Sequence, residues 1–382
     1  MSELRVGVDA WGTSGPLLHT GMGEYTRRLL EGLAEAPGVI AFAYGAPAEP
    51  RPDWLPERAT WRTPGTNTPS RLAGIASRLS WVRRRAGADR LGIFHSPAVH
   101  VRPRLPPVAG TGCPLVVTVH DLIPLTHYGN RLPPRLRLYY RWNLRRALGA
   151  QRVITVSRQS AAEISAWSGS LSAAVEVIAP GVEFAPNPDQ GVLRRLGIAG
   201  EYVLYAGSYE PRKNLAAALH AMARLSPDVH LVAIVEAGSG HAPAAHEQIA
   251  RLGLGDRVRL LHGLSDADLR AVYTFAGALL FPSLAEGFGF PPLQAAACGV
   301  PVVASDLSVL RETLGTAALF ADPHDPGALA AALQRVLAEP ALRARLRRAG
   351  PPAAARYRWP EAVARHLEVY RRLASEPAVA YA

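Results

Sequence analysis

Lysine is almost absent from this sequence, since Lys213 is the single lysine among 42 basic residues and the other 41 are arginine. Cysteine is equally scarce: Cys113 and Cys298 lie far apart without metal-ligand spacing, which excludes a cysteine-based metal site and favours a reducing, cytoplasmic compartment. Long apolar runs are missing too, because the longest, about residues 271–285, is short and contains Pro282. We therefore expect no membrane-spanning helix. The first residues indicate a strand, not a signal peptide.

What the chain does contain is an alternation of predicted strands and helices over 382 residues. A hydrophobic content of 48% with 19% charged residues is typical of a globular protein, and the length is too great for one ordinary core. The alternation favours α/β domains built on parallel sheets. A segment rich in proline and glycine, residues 179–190, predicts the linker between two domains. We expect domains over residues 1–185 and 186–356, followed by a helix with apolar spacing through Val363, Leu367 and Tyr370.

The formal net charge of +11 is concentrated in the first half of the chain. Residues 1–185 hold 22 arginines against 13 acidic residues (+9), and the remainder holds 20 basic against 18 acidic residues (+2). In residues 71–90 and 131–146, arginines alternate with apolar residues. Both segments are compatible with peripheral docking on an anionic membrane at its inner face, with residues 71–90 as the attachment, and equally with solvated helix faces. No recognition motif accompanies the charge, so no nucleic-acid partner is expected.

Lys213 follows a predicted strand and a glycine turn. The apolar run of residues 202–206 predicts the strand, and Gly207 begins the turn that leads to Arg212 and Lys213. An ammonium is a compact point charge on a flexible stem, whereas a guanidinium is a planar fork. We therefore expect Lys213 to contact a phosphate oxygen. Drift of the other lysines to arginine would explain the same composition without a role for Lys213.

Residues 281–303 form the most distinctive motif of the chain. A predicted strand ends at Phe281, a loop with Glu286 and two glycines follows, and a pair of prolines opens a helix. Glycines let backbone amides approach a ligand, and a helix N-terminus favours an anion. Glu286 is itself unsuited to bind phosphate and is predicted to accept hydrogen bonds from hydroxyl groups. Gln294, placed in the first helical turn, could face the same cleft.

This segment resembles the nucleotide-sugar signature of the retaining glycosyltransferases of family 4, and the resemblance extends over essentially the whole chain. The family has two glutamates eight positions apart; Glu286 matches the first, and Gln294 replaces the second. The resemblance implies the GT-B fold, in which two Rossmann-like, doubly wound α/β domains face each other across a cleft. It implies an acceptor on residues 1–185, a donor on residues 186–356, and a C-terminal helix in residues 357–382 that joins the first domain. Gln294 would contact the donor's ribose without the strength of a charged acceptor.

Other segments resemble the family in the same order. Residues 20–25 resemble its glycine loop, ahead of a helix predicted from about Gly23, and residues 117–122 resemble a strand end with a His-Asp pair. Residues 210–214 resemble the basic motif that clamps the donor's diphosphate. The implied catalytic residues are His120, Glu286, Arg212 and Lys213, and the implied donor-binding residues are Gly21, Gly23, Gly207, Gly287, Phe288, Gly289 and Gln294.

A few residues are weaker candidates. His95 and Ser96 follow a predicted strand and could lie in the cleft. Asp266 and Asp268 have the spacing of a metal-binding pair, but they open a predicted helix and are interpreted as capping and first-turn acids. The resemblance implies an enzyme that needs neither a metal nor another cofactor.

The function implied by the resemblance is transfer of a hexosyl group from a nucleotide-diphosphate sugar, with retention of anomeric configuration. The acceptor would be a glycan, a lipid-linked glycan or a small molecule, as in polysaccharide biosynthesis. The motifs look most like those of mannosyl- and rhamnosyltransferases, so GDP-mannose is the expected donor. A nucleotide-sugar epimerase of the same fold is the alternative, and a binding-only protein also stays open. A dinucleotide-dependent oxidoreductase is disfavoured, because Thr26 stands where its fingerprint needs a third glycine.

Overall fold

The computed structural model describes residues 3–11, 20–46, 49–64, 71–97, 110–169, 174–235 and 241–376, with backbone alone for residues 71–77 and Asn130. Two compact units divide the chain: Met1–Gly181 with Arg358–Ala382, and Val182–Tyr357. The boundary falls inside the segment of residues 179–190 that the sequence marks as a linker. The end of the expected C-terminal segment, residues 377–382, lies outside the described residues.

Each unit contains one parallel sheet. In the first unit the strands lie in the order β3-β2-β1-β4-β5-β6-β7, and in the second in the order β10-β9-β8-β11-β12-β13. The strands are β1 (Leu4–Asp9), β2 (Val39–Tyr44), β3 (Thr60–Arg62), β4 (Ile93–Ser96), β5 (Leu115–Thr118), β6 (Arg152–Thr155), β7 (Val175–Val177), β8 (Tyr202–Ala206), β9 (His230–Ile234), β10 (Val258–Leu261), β11 (Ala278–Phe281), β12 (Val302–Ser305) and β13 (Ala318–Ala321). The order reverses between β1 and β4 and again between β8 and β11, and such reversals are where ligands bind in doubly wound sheets.

Helices connect the strands and cover the sheets. They are α1 (Gly21–Glu35), α2 (Arg71–Ala88), α3 (Ile123–Thr126), α4 (Pro134–Leu148), α5 (Arg158–Ser168), α6 (Gly191–Arg195), α7 (Leu215–Met222), α8 (Ala242–Arg251), α9 (Asp266–Thr274), α10 (Phe290–Ala297), α11 (Ser308–Leu314), α12 (Pro326–Ala338), α13 (Pro340–Ala354) and α14 (Trp359–Ser375). None of these described helices has the length and hydrophobicity that a bilayer crossing requires.

The central strands are apolar on both faces because helices cover both faces of each sheet. All four residues of β5, β11 and β12 are buried, and the register pairs Leu279 of β11 with Leu204 of β8 and with Val302 of β12. A run of buried aliphatic side chains of this kind carries most of the favourable free energy of folding. The strand ends that carry the site are therefore fixed by the core beneath them.

Helix α14 packs in the first unit against α1 and β4. Gly32 in the middle of α1 permits this approach, because a Cβ atom at that position would lie 2.5 Å from Cγ2 of Val363. At Gly181, the end of the first segment, a Cβ atom would lie 2.3 Å from the backbone nitrogen of Trp359. The C-terminal helix is thus an integral element of the first unit.

Helix α2 does not present all of its arginines to solvent. Arg78 is only 2% exposed and forms an ion pair with Asp9, and Arg85 pairs with the buried Asp89. The apolar residues Trp81 and Val82 pack into the core of the first unit. From Arg78 onward, the exposed arginines of residues 71–90 are Arg83, Arg84 and Arg90.

Candidate active site

The loops after β8 and β11 meet where the strand order of the second sheet reverses. Asn214 joins them: it adopts a left-handed backbone (φ 58°), and its Nδ2 donates to the carbonyl oxygens of Pro282 at 3.0 Å and Pro323 at 2.8 Å. A backbone hydrogen bond of 2.8 Å from Leu284 to the carbonyl of Arg212 adds a second connection. The sequence indicates no role for Asn214 beyond its membership of the basic motif, yet this residue fixes the geometry of the two loops.

Arg212 and Lys213 converge on Glu286. The Lys213 Nζ atom lies 2.7 Å from Glu286 Oε1, and Arg212 Nη1 lies 3.3 Å from the same oxygen. Arg212 Nη1 also donates to the carbonyl oxygen of Ala285 at 3.1 Å, and Arg212 Nη2 lies 3.2 Å from Glu210 Oε2. The Lys213 ammonium stands 5.2 Å from the centre of the Phe281 ring. The structure thus brings together three of the four predicted catalytic residues.

The charge of Glu286 is maintained by these cations. Its side chain is 8% exposed, and burial alone would raise its pKa, but the charges of Lys213 and Arg212 outweigh burial and hold the pKa below its ordinary value. Glu286 is therefore ionised at neutral pH. An anion that enters this cluster would compete with Glu286 for the ammonium of Lys213.

The glycines around the cluster make room for its geometry. Gly289 has φ 98°, and a Cβ atom there would lie 2.7 Å from Leu310 Cδ2. A Cβ atom at Gly207 would lie 2.9 Å from the hydroxyl of Tyr205, which itself lies 3.2 Å from the carbonyl oxygen of Lys213. Gly287 lies between Glu286 and Phe288 in the same loop.

Two predicted donor-binding residues are placed differently from the expectation. Phe288 is 5% exposed and packs edge-on against Phe290 and Tyr357, so its ring supports the loop and leaves only its backbone to meet a ligand. Gln294 is the fifth residue of α10, in the second turn instead of the first, and is half-buried. The helix begins at Phe290, immediately after Gly289, which is why Gln294 lies one turn deeper than expected.

His120 lies in the first unit, two residues after the end of β5. Its Nε2 donates to the carbonyl oxygen of Pro97 at 2.8 Å, and its ring makes an edge contact with Tyr25 at 4.8 Å between centres. Burial lowers its pKa to about 4, despite the hydrogen bond to Pro97. The imidazole is therefore neutral at pH 7 with the proton on Nε2, so Nδ1 carries a lone pair that can accept a hydrogen bond from a hydroxyl.

His95 belongs to a buried hydrogen-bond chain and not to an open site. Its Nε2 lies 2.9 Å from Thr118 Oγ1 and its Nδ1 lies 2.5 Å from the hydroxyl of Tyr370 in α14. The chain continues from Thr118 to the Tyr25 hydroxyl at 3.2 Å and from there to His366 Nε2 at 2.7 Å. His95 is fully buried, so the expectation that it lines the cleft is wrong.

The direction of this chain follows from its last acceptor. His366 Nδ1 lies 2.7 Å from the carbonyl oxygen of Ala362, which can only accept, so Nδ1 carries the proton and Nε2 accepts from Tyr25. Tyr25 then accepts from Thr118, Thr118 accepts from His95 Nε2, and His95 Nδ1 accepts from Tyr370. Every group is satisfied with both histidines neutral. Burial lowers the pKa of His366 to about 4 and that of His95 well below its ordinary value.

Gly21 and Gly23 lie inside the first turn of α1 and not in a turn before it. Thr20 caps the helix, because its Oγ1 accepts from the backbone N–H of Gly23 at 3.2 Å. The cap moves the start of the helix to Gly21, two residues ahead of the predicted start. Residues 12–19, which lead into this turn, lie outside the described residues.

The remaining candidates have structural partners. Ser96 Oγ donates to Asp9 Oδ2 at 3.4 Å, beside the Arg78 ion pair. Asp266 and Asp268 lie in the first turn of α9, as predicted, but Ser265 provides the cap: its Oγ accepts from the Asp268 N–H at 3.1 Å. Asp268 also pairs with Arg195 at 2.5 Å.

Comparison with known proteins identifies both units. A model described as Glycosyltransferase Family 4 matches residues 19–186, and one described as Glycosyl transferases group 1 matches residues 197–352. Among the relatives, a protein named D-inositol 3-phosphate glycosyltransferase, of Frankia alni, is 33% identical over 70% of this chain and 71% of that protein. The O-antigen chain mannosyltransferase B of Escherichia coli is 28% identical over 93% of this chain and 96% of its own length.

Other relatives are longer or more distant. The serotype-specific mannosyltransferase WbdA of Escherichia coli is 27% identical over 68% of this chain, and the match spans only 33% of that protein. The sucrose-phosphate synthase of Thermosynechococcus elongatus superposes with a TM-score of 0.80 at 21% identity, covering 97% of this chain and 99% of that one. The Anabaena protein Alr3699/HepE, solved in complex with UDP-glucose, superposes with a TM-score of 0.76 at 18% identity, over 96% and 100%. The two structural likenesses confirm the predicted GT-B fold. The Frankia alni relative, together with the two family matches, shows that this chain belongs to glycosyltransferase family 4.

Proposed function

We propose that this glycosyltransferase moves a hexosyl group from a nucleotide-diphosphate sugar to a hydroxyl of a glycan, lipid-linked or small-molecule acceptor, with retention of anomeric configuration. The observation that carries the proposal is the cluster of Arg212, Lys213 and Glu286 at the strand-order reversal of the second sheet. Arg212 and Lys213 stand there beside the carboxylates of Glu286 and Glu210, at a place where doubly wound sheets bind nucleotides, and a diphosphate could replace these carboxylates as their partner.

In the proposed reaction, the bond between the anomeric carbon and the diphosphate oxygen breaks, and its electron pair stays on that oxygen. The acceptor hydroxyl oxygen bonds to the anomeric carbon, and its proton passes to the departing diphosphate. Arg212 and Lys213 stabilise the charge that develops on the leaving group, which is usually the largest catalytic contribution of a protein. Glu286, released from Lys213 by the diphosphate, would accept hydrogen bonds from the sugar hydroxyls, as would Nδ1 of His120.

GDP-mannose is the proposed donor. The relatives named mannosyltransferases support mannose as the transferred sugar. A protein of the same fold was solved in complex with UDP-glucose, so UDP-glucose is the donor to compare with GDP-mannose. Arg212 and Lys213 can stabilise the charge on the leaving diphosphate as a metal ion would. We therefore propose that transfer proceeds without a metal ion. Activity that survives chelation of divalent cations would agree with this, and loss of activity on chelation would contradict it.

The test is a thermal-shift panel of GDP-, UDP-, dTDP- and ADP-sugars, followed by product analysis with the donor that stabilises most, since a ligand bound only by the folded state raises its stability. NMR of the product should show the anomeric configuration of the donor. Lys213→Ala should lower kcat/KM by roughly 10²-fold, the order expected when one group that stabilises developing charge is removed. Unchanged turnover of Lys213→Ala with that donor would refute the assigned role.

The same assay separates the alternative activity. A nucleotide-sugar epimerase needs no acceptor, so incubation with donor alone would give an isomerised sugar nucleotide. We expect the donor to be recovered with its sugar unchanged until an acceptor hydroxyl is added.

A further inference from the structure

The chain segment that contains α4 has basic but no acidic side chains, although Asp121, directly before it, interacts electrostatically with Tyr140 of α4. Residues 122–162 contain eight arginines and no aspartate or glutamate. Five of these arginines lie on α4 itself, at positions 135, 137, 141, 145 and 146. A run of 41 residues without one acidic side chain creates a local positive potential that the rest of the first unit does not cancel.

One face of α4 is packed into the first unit. Leu144, Ala147 and Leu148 are buried against the sheet and contribute to its core, and the side chain of Asn143 is also buried. The helix is therefore fixed in place by its inner side. The other positions of α4 form its outer, solvent-facing side.

The outer face of α4 combines apolar and cationic side chains. Leu138 and Trp142 are 66% and 44% exposed, and they are the large hydrophobic residues exposed within the described ranges. Because positions four apart share a helix face, the two side chains lie one turn from each other. Four exposed arginines surround them, namely Arg135, Arg141, Arg145 and Arg146. Leu138, Trp142 and these four arginines are called the α4 outer face below.

Aromatic rings are the neighbours of two of these arginines. Within the part of the chain that the structure describes, none of the four pairs with a carboxylate. Instead, Arg146 lies 5.4 Å from the Trp142 ring centre, and Arg145 lies 5.7 Å from the ring centre of Trp167. Stacking on an indole leaves a guanidinium able to donate hydrogen bonds outward to an anion.

We infer that the α4 outer face is a docking surface for an anionic lipid bilayer. Trp142 and Leu138 would enter the boundary between headgroups and acyl chains, and the four arginines would contact lipid phosphates. A helix parallel to the membrane with an apolar centre and a basic rim has this composition. The apolar centre favours a bilayer over a nucleic acid, which would engage the arginines but leave Leu138 in water.

Helix α2 fits this role less well than α4. Its exposed arginines, Arg83 and Arg84, follow Trp81 and Val82, whose side chains pack inside the first unit. Helix α2 therefore provides a control with the same charge and a similar exposure. The inference does not depend on the proposed sugar transfer, since it concerns binding alone.

The experiment is sedimentation of the purified full chain with vesicles of phosphatidylcholine containing 30 mol% phosphatidylglycerol, at low salt. Arg141→Gln combined with Arg146→Gln should weaken partitioning by roughly 25-fold, since one basic residue near an anionic surface contributes a factor of about five. Arg83→Gln combined with Arg84→Gln should change it much less. Leu138→Ser combined with Trp142→Ser should also release the protein, and vesicles of phosphatidylcholine alone should bind little.

Circular dichroism should show unchanged unfolding for all variants, because the substituted side chains are exposed. The inference is overturned if the chain does not sediment with anionic vesicles at low salt, or if the α2 and α4 charge variants weaken partitioning equally. It is also overturned if Leu138→Ser with Trp142→Ser binds like the unmodified chain. Light scattering without vesicles provides a further check: a dimer that this apolar variant abolishes would show that the face binds a second copy instead.

Discussion

Glu286 and a donor diphosphate would compete for the same ammonium group. In the free protein, Lys213 Nζ is 2.7 Å from Glu286, and the carboxylate is held ionised by Lys213 and Arg212. The carboxylate therefore keeps the two cations close together and partly neutralised until an anion arrives. The cost of burying a cation pair without a counter-ion would be several kcal/mol.

This competition gives Glu286→Gln a mixed phenotype. The neutral amide no longer holds Lys213, so the free nucleoside diphosphate should bind as tightly as before or tighter. Turnover should fall by roughly 10²-fold, because the amide lacks the charge needed to orient and stabilise the sugar. Isothermal titration with GDP and steady-state kinetics measure the two effects separately. Weaker GDP binding with normal kcat would contradict the assignment.

Gln294 occupies the second acidic position of the family signature. A hydrogen bond to a charged acceptor contributes about 1.5–3 kcal/mol, compared with about 0.5–1.5 kcal/mol for a neutral one. Gln294→Glu should therefore tighten binding of the nucleoside diphosphate by roughly fivefold, provided that the residue contacts the ribose. Inorganic pyrophosphate, which has no ribose, is the matched control and should bind no tighter to the variant. Equal gains for both ligands would exclude a ribose contact.

At the scale of elements, the C-terminal helix is held to the first unit by neutral histidines. His366 and His95 bind Tyr25, Thr118 and Tyr370 only in their uncharged forms, because the directed chain leaves no acceptor for an additional proton. The pKa of His366 is about 4 in the folded protein and about 6.5 in an unfolded chain. The unfolded state thus binds more protons between these values.

The stability of the first unit should therefore fall as the pH drops from about 6.5 to about 4. Each buried histidine contributes a slope of up to about 1.4 kcal/mol per pH unit in this window and contributes fully above it. His366→Gln should flatten the dependence of the free energy of unfolding on pH, measured by urea titration at several pH values. His246→Gln, at an exposed position of α8 outside this hydrogen-bond chain, is the control variant in the same titrations. An unaltered slope in His366→Gln would show that the hydrogen-bond chain does not resist protonation.

The sequence predicts elements best where one apolar run fills one strand. The runs beginning at Leu115 and Arg152 are observed as β5 and β6, because a buried parallel strand must be apolar on both faces. The short strands β3 and β7 have three half-buried residues each and offer no comparable signal. The start of α1 was displaced by two residues because the Thr20 cap, and not the glycines, sets it.

Long-range partners are what the sequence could not supply. Lys213 and Glu286 each follow a predicted strand, so their approach to one sheet edge is a reasonable expectation. Their direct ion pair, however, joins residues 73 positions apart and depends on β8 and β11 being neighbouring strands. The hydrogen bonds of Tyr25 with Thr118 and His366 span 93 and 341 residues. The sequence places His95 at a strand end but does not show that α14 packs over it. The prediction that His95 lies in a cleft failed for this reason.

At the scale of the whole molecule, the two units should respond to different stimuli. The cluster of Arg212, Lys213 and Glu286 lies entirely within Val182–Tyr357, and the histidine chain lies entirely within Met1–Gly181 and Arg358–Ala382. A chain with two compact units need not unfold in one step. Scanning calorimetry at pH 7.5 should therefore resolve two transitions.

A nucleoside diphosphate at 100 times its Kd should stabilise the unit that binds it by about 2.7 kcal/mol, and so raise one transition. Lowering the pH to 5 should depress the other transition, because the buried histidines belong to the first unit. Lys213→Ala identifies the ligand-sensitive transition by abolishing its shift, and His366→Gln identifies the pH-sensitive one by reducing its displacement. If both substitutions act on the same transition, the cation cluster and the histidine chain are parts of one cooperative unit, and the assignment of donor binding to Val182–Tyr357 alone fails.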